Sequence, residues 1–348
     1  SSIREHLCSE AMHYLGVPTT RSLSLIGTGD QVARDMLYNG NIVLEKGAVV
    51  CRVAPSFIRF GNFELLAANK DIENLQKLAD YTIRHYYPEI KHSEAEKYIE
   101  LIKIAAEKTR KMIIEWQRVG FVHGVMNTDN MSIHGITIDY GPYGWIDGYD
   151  EGWTPNTTDS GQKRYRFGNQ ANIALWNLMQ LANALYPLIE KVEPLEEILH
   201  EFGEQYRRDY AEMMRGKLGL AQIEDGDDEL VKELIVCLQL AETDMTIFFR
   251  KLSIIHQDTV VSWEEIIGKL GNSFYNMDEI SEIVKEKWVL WMGNYVQRLQ
   301  KEERSNDERM KAMNSVNPKY VLRNYMAQMV IEDAEKGDYG LLNEMYEY

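Results

Sequence analysis

Ile3, Leu7, Cys8, Ala11, Met12 and Leu15 return every three or four residues, the spacing that turns one face of a helix toward a core. Ser1 or Ser2 can cap its start and Gly16-Val17-Pro18 stops it, so an amphipathic helix opens the chain. The pattern then shortens. Segments 20–26, 31–36 and 48–54 are rich in Val, Ile, Leu and Thr and are punctuated by Gly27-Thr28-Gly29, Gly40 and Gly47, which predicts strands of a small antiparallel sheet. From 71 to 118 the spacing is helical again, with Leu75, Leu78, Ala79 and Ile83 in one stripe and Ile99, Ile102, Ile104, Met112 and Trp116 in the next. Residues 151–167 are polar and broken by Gly and Pro, as a loop is. Beyond them the pattern predicts helices near 169–190, 194–214, 228–256, 262–270, 277–303 and 317–336. The fold class is therefore α+β and predominantly α-helical.

Between the two helical regions lies a stretch, 121–150, with a different signature. His134-Gly135 separates Met131-Ser132-Ile133 from Ile136-Thr137-Ile138, two alternating runs that predict a hairpin with a two-residue loop. That register sets Asn130 opposite Asp139. Directly opposed residues on a ribbon have Cβ atoms roughly 4.5–5.5 Å apart. A carboxylate and a carboxamide at that spacing can share one hard cation such as Mg²⁺ through oxygen. Accidental pairing is the blander alternative.

With 348 residues, 45% of them hydrophobic, the chain can build one large core or two ordinary ones. Its net charge of −16 argues against a broad nucleic-acid or anionic-membrane surface, and leaves small molecules and proteins as partners. Cys8, Cys51 and Cys237 are too few and too scattered for a disulfide framework; they point to a reducing compartment and to buried thiols. No apolar run reaches the roughly 18–20 residues that span a bilayer. The charged runs Glu224-Asp225-Gly226-Asp227-Asp228-Glu229 and Lys301-Glu302-Glu303-Arg304 read as solvated loop and helix ends.

His123-Gly124-x5-Asn130, followed nine residues on by Asp139-Tyr140-Gly141, resembles the catalytic and metal-binding loops of protein-kinase-like enzymes. Val125 occupies the position of the kinase catalytic Asp and accepts no proton. Asp129, next to Asn130, is an acid that could orient or deprotonate a hydroxyl near a cation. His123 reads as a structural histidine, and Tyr140 and Trp145 as packing residues.

The longer run from His123 to Trp145 is similar to the selenoprotein O family. The likeness continues through Arg164-Tyr165-x-Phe167-Gly168-Asn169-Gln170 and Trp176-Asn177-Leu178. It extends to Ser1–Glu5, Gly16–Arg21, Val49–Gly61 and Asn317–Asn324, and so covers essentially the whole chain. The resemblance implies a protein-kinase-like fold, a pseudokinase by its loops, and protein adenylyltransferase activity: AMP moves from ATP, bound flipped relative to kinases, to Ser, Thr or Tyr hydroxyls. It implies Asp129 as proton acceptor, Asn130 and Asp139 as ligands of Mg²⁺ or Mn²⁺, and Arg52 and Arg59 as ATP-contacting arginines. It makes Glu5 the helix glutamate that pairs with a nucleotide-positioning lysine. Location follows the same likeness, cytoplasmic in a bacterium and mitochondrial in a eukaryote; oligomeric state does not follow.

From the residues alone, each role has a plainer rival. Arg52 and Arg59 flank Pro55, and their guanidinium forks suit phosphate, though from the residues alone a surface or salt-bridge role is the commoner reading. Glu5 fits the solvated face of the first helix, and Asn127-Thr128-Asp129-Asn130 suits a simple turn. The family's Gly-rich segment and its lysine find no match in the sequence. The expectation is a chain truncated at the N-terminus and at the C-terminus, in which 1–60 is a remnant of the β lobe and 61–348 a large helical lobe carrying the 121–150 hairpin. Weak activity or none is expected of it. Two other functions remain open: a kinase-like phosphotransferase, and a silent kinase-fold scaffold.

Overall fold

The computed structural model describes residues 1–35 and 40–347. Helix α1 (Ser2–Tyr14) forms as its stripe predicts and buries Leu7, Cys8 and Met12. Two long strands follow, β1 (Arg21–Arg34) and β2 (Val43–Val53), paired antiparallel in one ribbon. The three short strands expected here are thus two. Gly27-Thr28-Gly29 does not end a strand: Gly27 faces Ala48 and Gln31 faces Lys46, so the extra residues are absorbed as an irregularity inside the ribbon. Residue 36 of the second expected strand lies outside the described residues.

Helix α2 (Phe60–Ala68) has no counterpart in the sequence reading. It is followed by α3 (Ile72–Tyr86), capped by Asp71, and by α4 (Ala95–Val119). Strands β3 (Phe121–Val122) and β4 (Gly144–Trp145) form a second two-stranded ribbon. Helices α5 (Gln170–Ile189) and α6 (Glu193–Leu218) match expectation. The expected helix at 228–256 is instead two, α7 (Asp227–Leu240) and α8 (Met245–Leu252). Between them Thr243 and Asp244 run extended and bridge to Phe274 and Gly148, and the Asp244 carboxylate accepts the Ile247 N–H to start α8.

Helices α9 (Trp263–Leu270) and α10 (Glu282–Leu299) follow, then α11 (Asn306–Val316), α12 (Asn324–Lys336) and α13 (Gly340–Glu347). Helix α11 is polar and escapes periodicity, but a reciprocal Ser305–Glu308 capping box sets its start. The expected helix at 317–336 begins only at Asn324. The fold is α+β and mostly helical, and none of its described helices is long and apolar enough to cross a membrane.

Two cores meet at the β3–β4 ribbon. Phe121 and Trp145 belong to the first core, with Cys8, Phe60, Phe63 and Leu178; Val122 and Ile146 belong to the second, with Leu234, Phe248, Trp288 and Trp291. Neighbouring residues of an extended chain face opposite ways, so this short ribbon is wedged between the cores and fixes the segment it brackets. The charged runs are not simply solvated. Asp227 and Glu302 are buried and grip the buried Arg298, at 2.6 Å from Nε and 2.7 Å from Nη1. Cys8 and Cys237 are buried, whereas Cys51 is exposed.

Candidate active site

The segment from His123 to Gly141 is built as a loop rather than as the expected hairpin. A turn is present, but its hydrogen bond runs from the Gly135 N–H to the Ser132 carbonyl at 3.1 Å, so Ile133 and His134 are its central residues. Gly135 has φ +60°, and a Cβ there would lie 2.5 Å from the Lys108 backbone, so only glycine fits against α4. The arms diverge because each finds a different neighbour. Ser132 bridges antiparallel to Arg59, with the Phe60 N–H on Met131 O at 2.9 Å and the Ile133 N–H on Ile58 O at 3.1 Å. Thr137 bridges parallel to Thr19, and its N–H meets Pro18 O at 2.8 Å. Asn130 and Asp139 are therefore not cross-strand partners.

Buried His123 ties the loop together. The Val125 N–H points at its Nδ1 at 3.4 Å, so Nε2 carries the proton and donates to Ile138 O at 2.9 Å. Burial lowers its pKa below the ordinary histidine value, which keeps the ring neutral. Tyr140 and Trp145 are buried packing residues. Asn127 caps the single turn that carries the candidate acid, accepting the Asn130 N–H at 3.1 Å. The Asn130 side-chain amide donates to Val125 O at 2.8 Å, which turns its oxygen the other way.

Asp139 sits at φ +56°, a conformation that costs an L-residue other than glycine about 1 kcal/mol or more. Neighbours hold it there: the Gly141 N–H meets its carbonyl at 2.8 Å, and the Tyr140 N–H donates to Glu5 Oε2 at 2.9 Å. Its carboxylate takes Arg52 Nη1 on Oδ1 at 2.5 Å and Arg59 Nη1 on Oδ2. Arg59 also donates to the Asp129 carbonyl at 2.6 Å, and Arg52 reaches Glu5 Oε1 at 3.3 Å while stacking 5.1 Å over Phe57. Five of the six residues singled out from the sequence thus form one connected cluster, Glu5–Arg52–Asp139–Arg59–Asp129, and Asn130 follows directly on it.

Burial raises the Glu5 carboxyl above its usual range, with Arg52 opposing. For Arg52, burial works against the charge, but Asp139 and Glu5 outweigh it and the pKa rises. In this structure the partner of Glu5 across the cluster is Arg52. Among the described residues no three His, Cys, Asp or Glu side chains converge on one point. An oxygen pair, one carboxylate and one carboxamide, suits a hard cation that takes its other ligands from phosphate and water.

The profile of the family described as protein adenylyltransferase SelO matches residues 1–348, end to end. The chain belongs to that family. A protein nucleotidyltransferase YdiU of Flavobacterium johnsoniae is 59% identical over 346 residues, which is 99% of this chain and 66% of the relative. Proteins of the same name from Aromatoleum aromaticum and Rhodopirellula baltica are 51% and 49% identical, over 99% and 100% of this chain and 65% and 67% of theirs. The chain thus spans about two thirds of the length of the curated relatives it matches.

Sequence reasoning passed over the α2 side of the site. Gly61 packs on the Asp129 carboxylate, and Glu64 accepts from the Thr128 hydroxyl. The only signal was the short spacing of Phe60, Phe63 and Ala67, too brief to announce a helix.

Proposed function

We propose that this protein transfers AMP from ATP to a Ser, Thr or Tyr hydroxyl of a protein substrate. The observation that carries this reading is the double clasp on Asp139. Two guanidiniums converge there beside the Asp129 loop, while Val125 stands where a kinase has its base.

Arg52 and Arg59 supply planar donor forks for the polyphosphate, for which Asp139 and Glu5 stand in as anions in this structure. Asn130 and Asp139 would hold Mg²⁺ or Mn²⁺ by oxygen, and the cation would supply neutralisation of phosphate charge. The substrate hydroxyl oxygen attacks the α-phosphorus, the bond to the bridging oxygen of the β-phosphate breaks, and pyrophosphate leaves. Asp129 accepts the hydroxyl proton. The architecture is read as protein-kinase-like, with 1–60 as one lobe and 61–348 as the other. The three scattered thiols favour a reducing compartment, the cytoplasm of a bacterial cell.

Product analysis tests the reading. Incubation with ATP, Mg²⁺ and a protein acceptor is expected to release pyrophosphate; release of ADP would point to phosphoryl transfer instead. Asp129→Ala is expected to bind nucleotide and transfer nothing, whereas Asp139→Ala loses metal-dependent nucleotide binding too.

A further inference from the structure

We propose that Gly61 and Glu64, on the first two turns of α2, are positioning residues that aim the Asp129 carboxylate. This rests on the reading of Asp129 as proton acceptor. An ideal Cβ on Gly61 would lie 2.1 Å from Asp129 Oδ1, 3.1 Å from its Cγ and 3.4 Å from its Cα. The carboxylate therefore lies directly on the bare Cα of residue 61. Gly61 is not among the residues with positive φ, so its backbone conformation does not call for glycine. Glycine weakens a helix relative to alanine, and what it provides here is room.

Glu64, one turn further on, accepts the hydroxyl hydrogen of Thr128, the residue immediately before Asp129. The same short segment holds the loop's backbone. Arg59 Nη1 binds the Asp129 carbonyl at 2.6 Å, and the Phe60 N–H binds Met131 O at 2.9 Å. One stretch of chain thus fixes the residue before Asp129, its own carbonyl and the backbone two residues after it, while Gly61 opens the one place into which its carboxylate points. Misplacing a reacting group by about 1 Å can cost about 100-fold in rate, so this contact is expected to be felt in turnover rather than in folding.

Gly61→Ala is the direct test, read by the rate of AMP transfer at saturating ATP, the KM for ATP and the melting temperature. The expected result is a fall in kcat of about 10–100-fold. The KM for ATP stays within about twofold, because Arg52, Arg59 and Asp139 are untouched. The melting temperature is no lower than that of the wild type, since alanine favours the helix. Loss of activity without loss of stability is what a merely structural glycine does not give. Glu64→Gln, which keeps an acceptor for Thr128, is expected to retain most of the rate, and Glu64→Ala to lose about tenfold. Thr128→Val combined with Glu64→Ala is expected to be no worse than either alone, because both remove one hydrogen bond.

Asp129→Ala in the same assay separates this inference from the reading beneath it. Full transfer by Asp129→Ala overturns both. An inactive Asp129→Ala beside a Gly61→Ala that turns over at the wild-type kcat overturns the positioning role alone, as does a Gly61→Ala whose whole defect lies in KM.

Discussion

Arg52 and Glu5 meet between the end of β2 and the first turn of α1, 3.3 Å apart, and the same guanidinium nitrogen lies 2.5 Å from Asp139. One cation therefore joins the β ribbon, the first helix and the left-handed residue of the candidate metal site. The pair is half-shielded, with side-chain exposures of 25% and 15%, so it is neither a surface ion pair nor a fully buried one.

Arg52→Ala is expected to weaken ATP binding by about tenfold or more, one phosphate-directed charge being worth about 1.5–3 kcal/mol. It also unmasks the burial of Glu5. The folded-state pKa of Glu5 is already raised, so between the unfolded and folded values the folded state holds more protons and stability falls as pH rises. Without Arg52 that window widens upward. The variant is expected to be less stable than the wild type at pH 7 and to recover part of the deficit at pH 5, as read by urea denaturation at both pH values.

His134 gives a pH dependence of the opposite sign. Tyr87 donates its hydroxyl hydrogen to Ile133 O at 2.8 Å, so His134 Nδ1–H donates to the Tyr87 oxygen and Nε2 accepts from Ser56 at 2.6 Å. Burial, with Lys108 adding to it, lowers the His134 pKa to about 4 from an unfolded value of 6.5. The unfolded state thus takes up the proton first on acidification, and stability is lost as pH falls through 6.5 toward 4. Between pH 7 and pH 5 the loss is on the order of 1 kcal/mol once solvent screening of this partly exposed ring is allowed for. His134→Gln is expected to flatten the pH dependence of chemical denaturation by about that amount relative to the wild type.

The Asp227–Arg298–Glu302 triad ties the start of α7 to the end of α10, with all three side chains buried. Removing one acid leaves a guanidinium out of water with half its partners. Asp227→Ala is expected to cost about 3 kcal/mol in equilibrium denaturation, and Asp227→Asn, which keeps a hydrogen-bond acceptor, clearly less.

Much of the helical framework was legible in the sequence because amphipathic stripes such as Leu75-Leu78-Ala79-Ile83 bury one face. Helices α2, α11 and α13 were not. The first is short, the second is held by its capping box and by buried Arg309 more than by an apolar stripe, and the third buries no residue at all. At the site, residue identity was readable and pairing was not. The Met131–Ile138 alternation predicted a ribbon paired with itself, but Ile58–Phe60 and Pro18–Thr20 are the strands' actual partners, and such long-range pairings leave no local trace. Arg52 and Arg59 were readable as anion-binding residues, whereas their convergence on Asp139 depends on β2 and α2 being brought to the same loop.

Which phosphorus of ATP is attacked decides between AMP transfer and phosphoryl transfer. Wild-type protein and Asp129→Ala should be incubated with a protein acceptor, Mg²⁺ or Mn²⁺, and ATP labelled at either the α or the γ phosphate. Protein-bound label is expected only from the α position and is expected to be lost in Asp129→Ala. Retention of γ label on protein, or undiminished α labelling by Asp129→Ala, would contradict AMP transfer with Asp129 as proton acceptor.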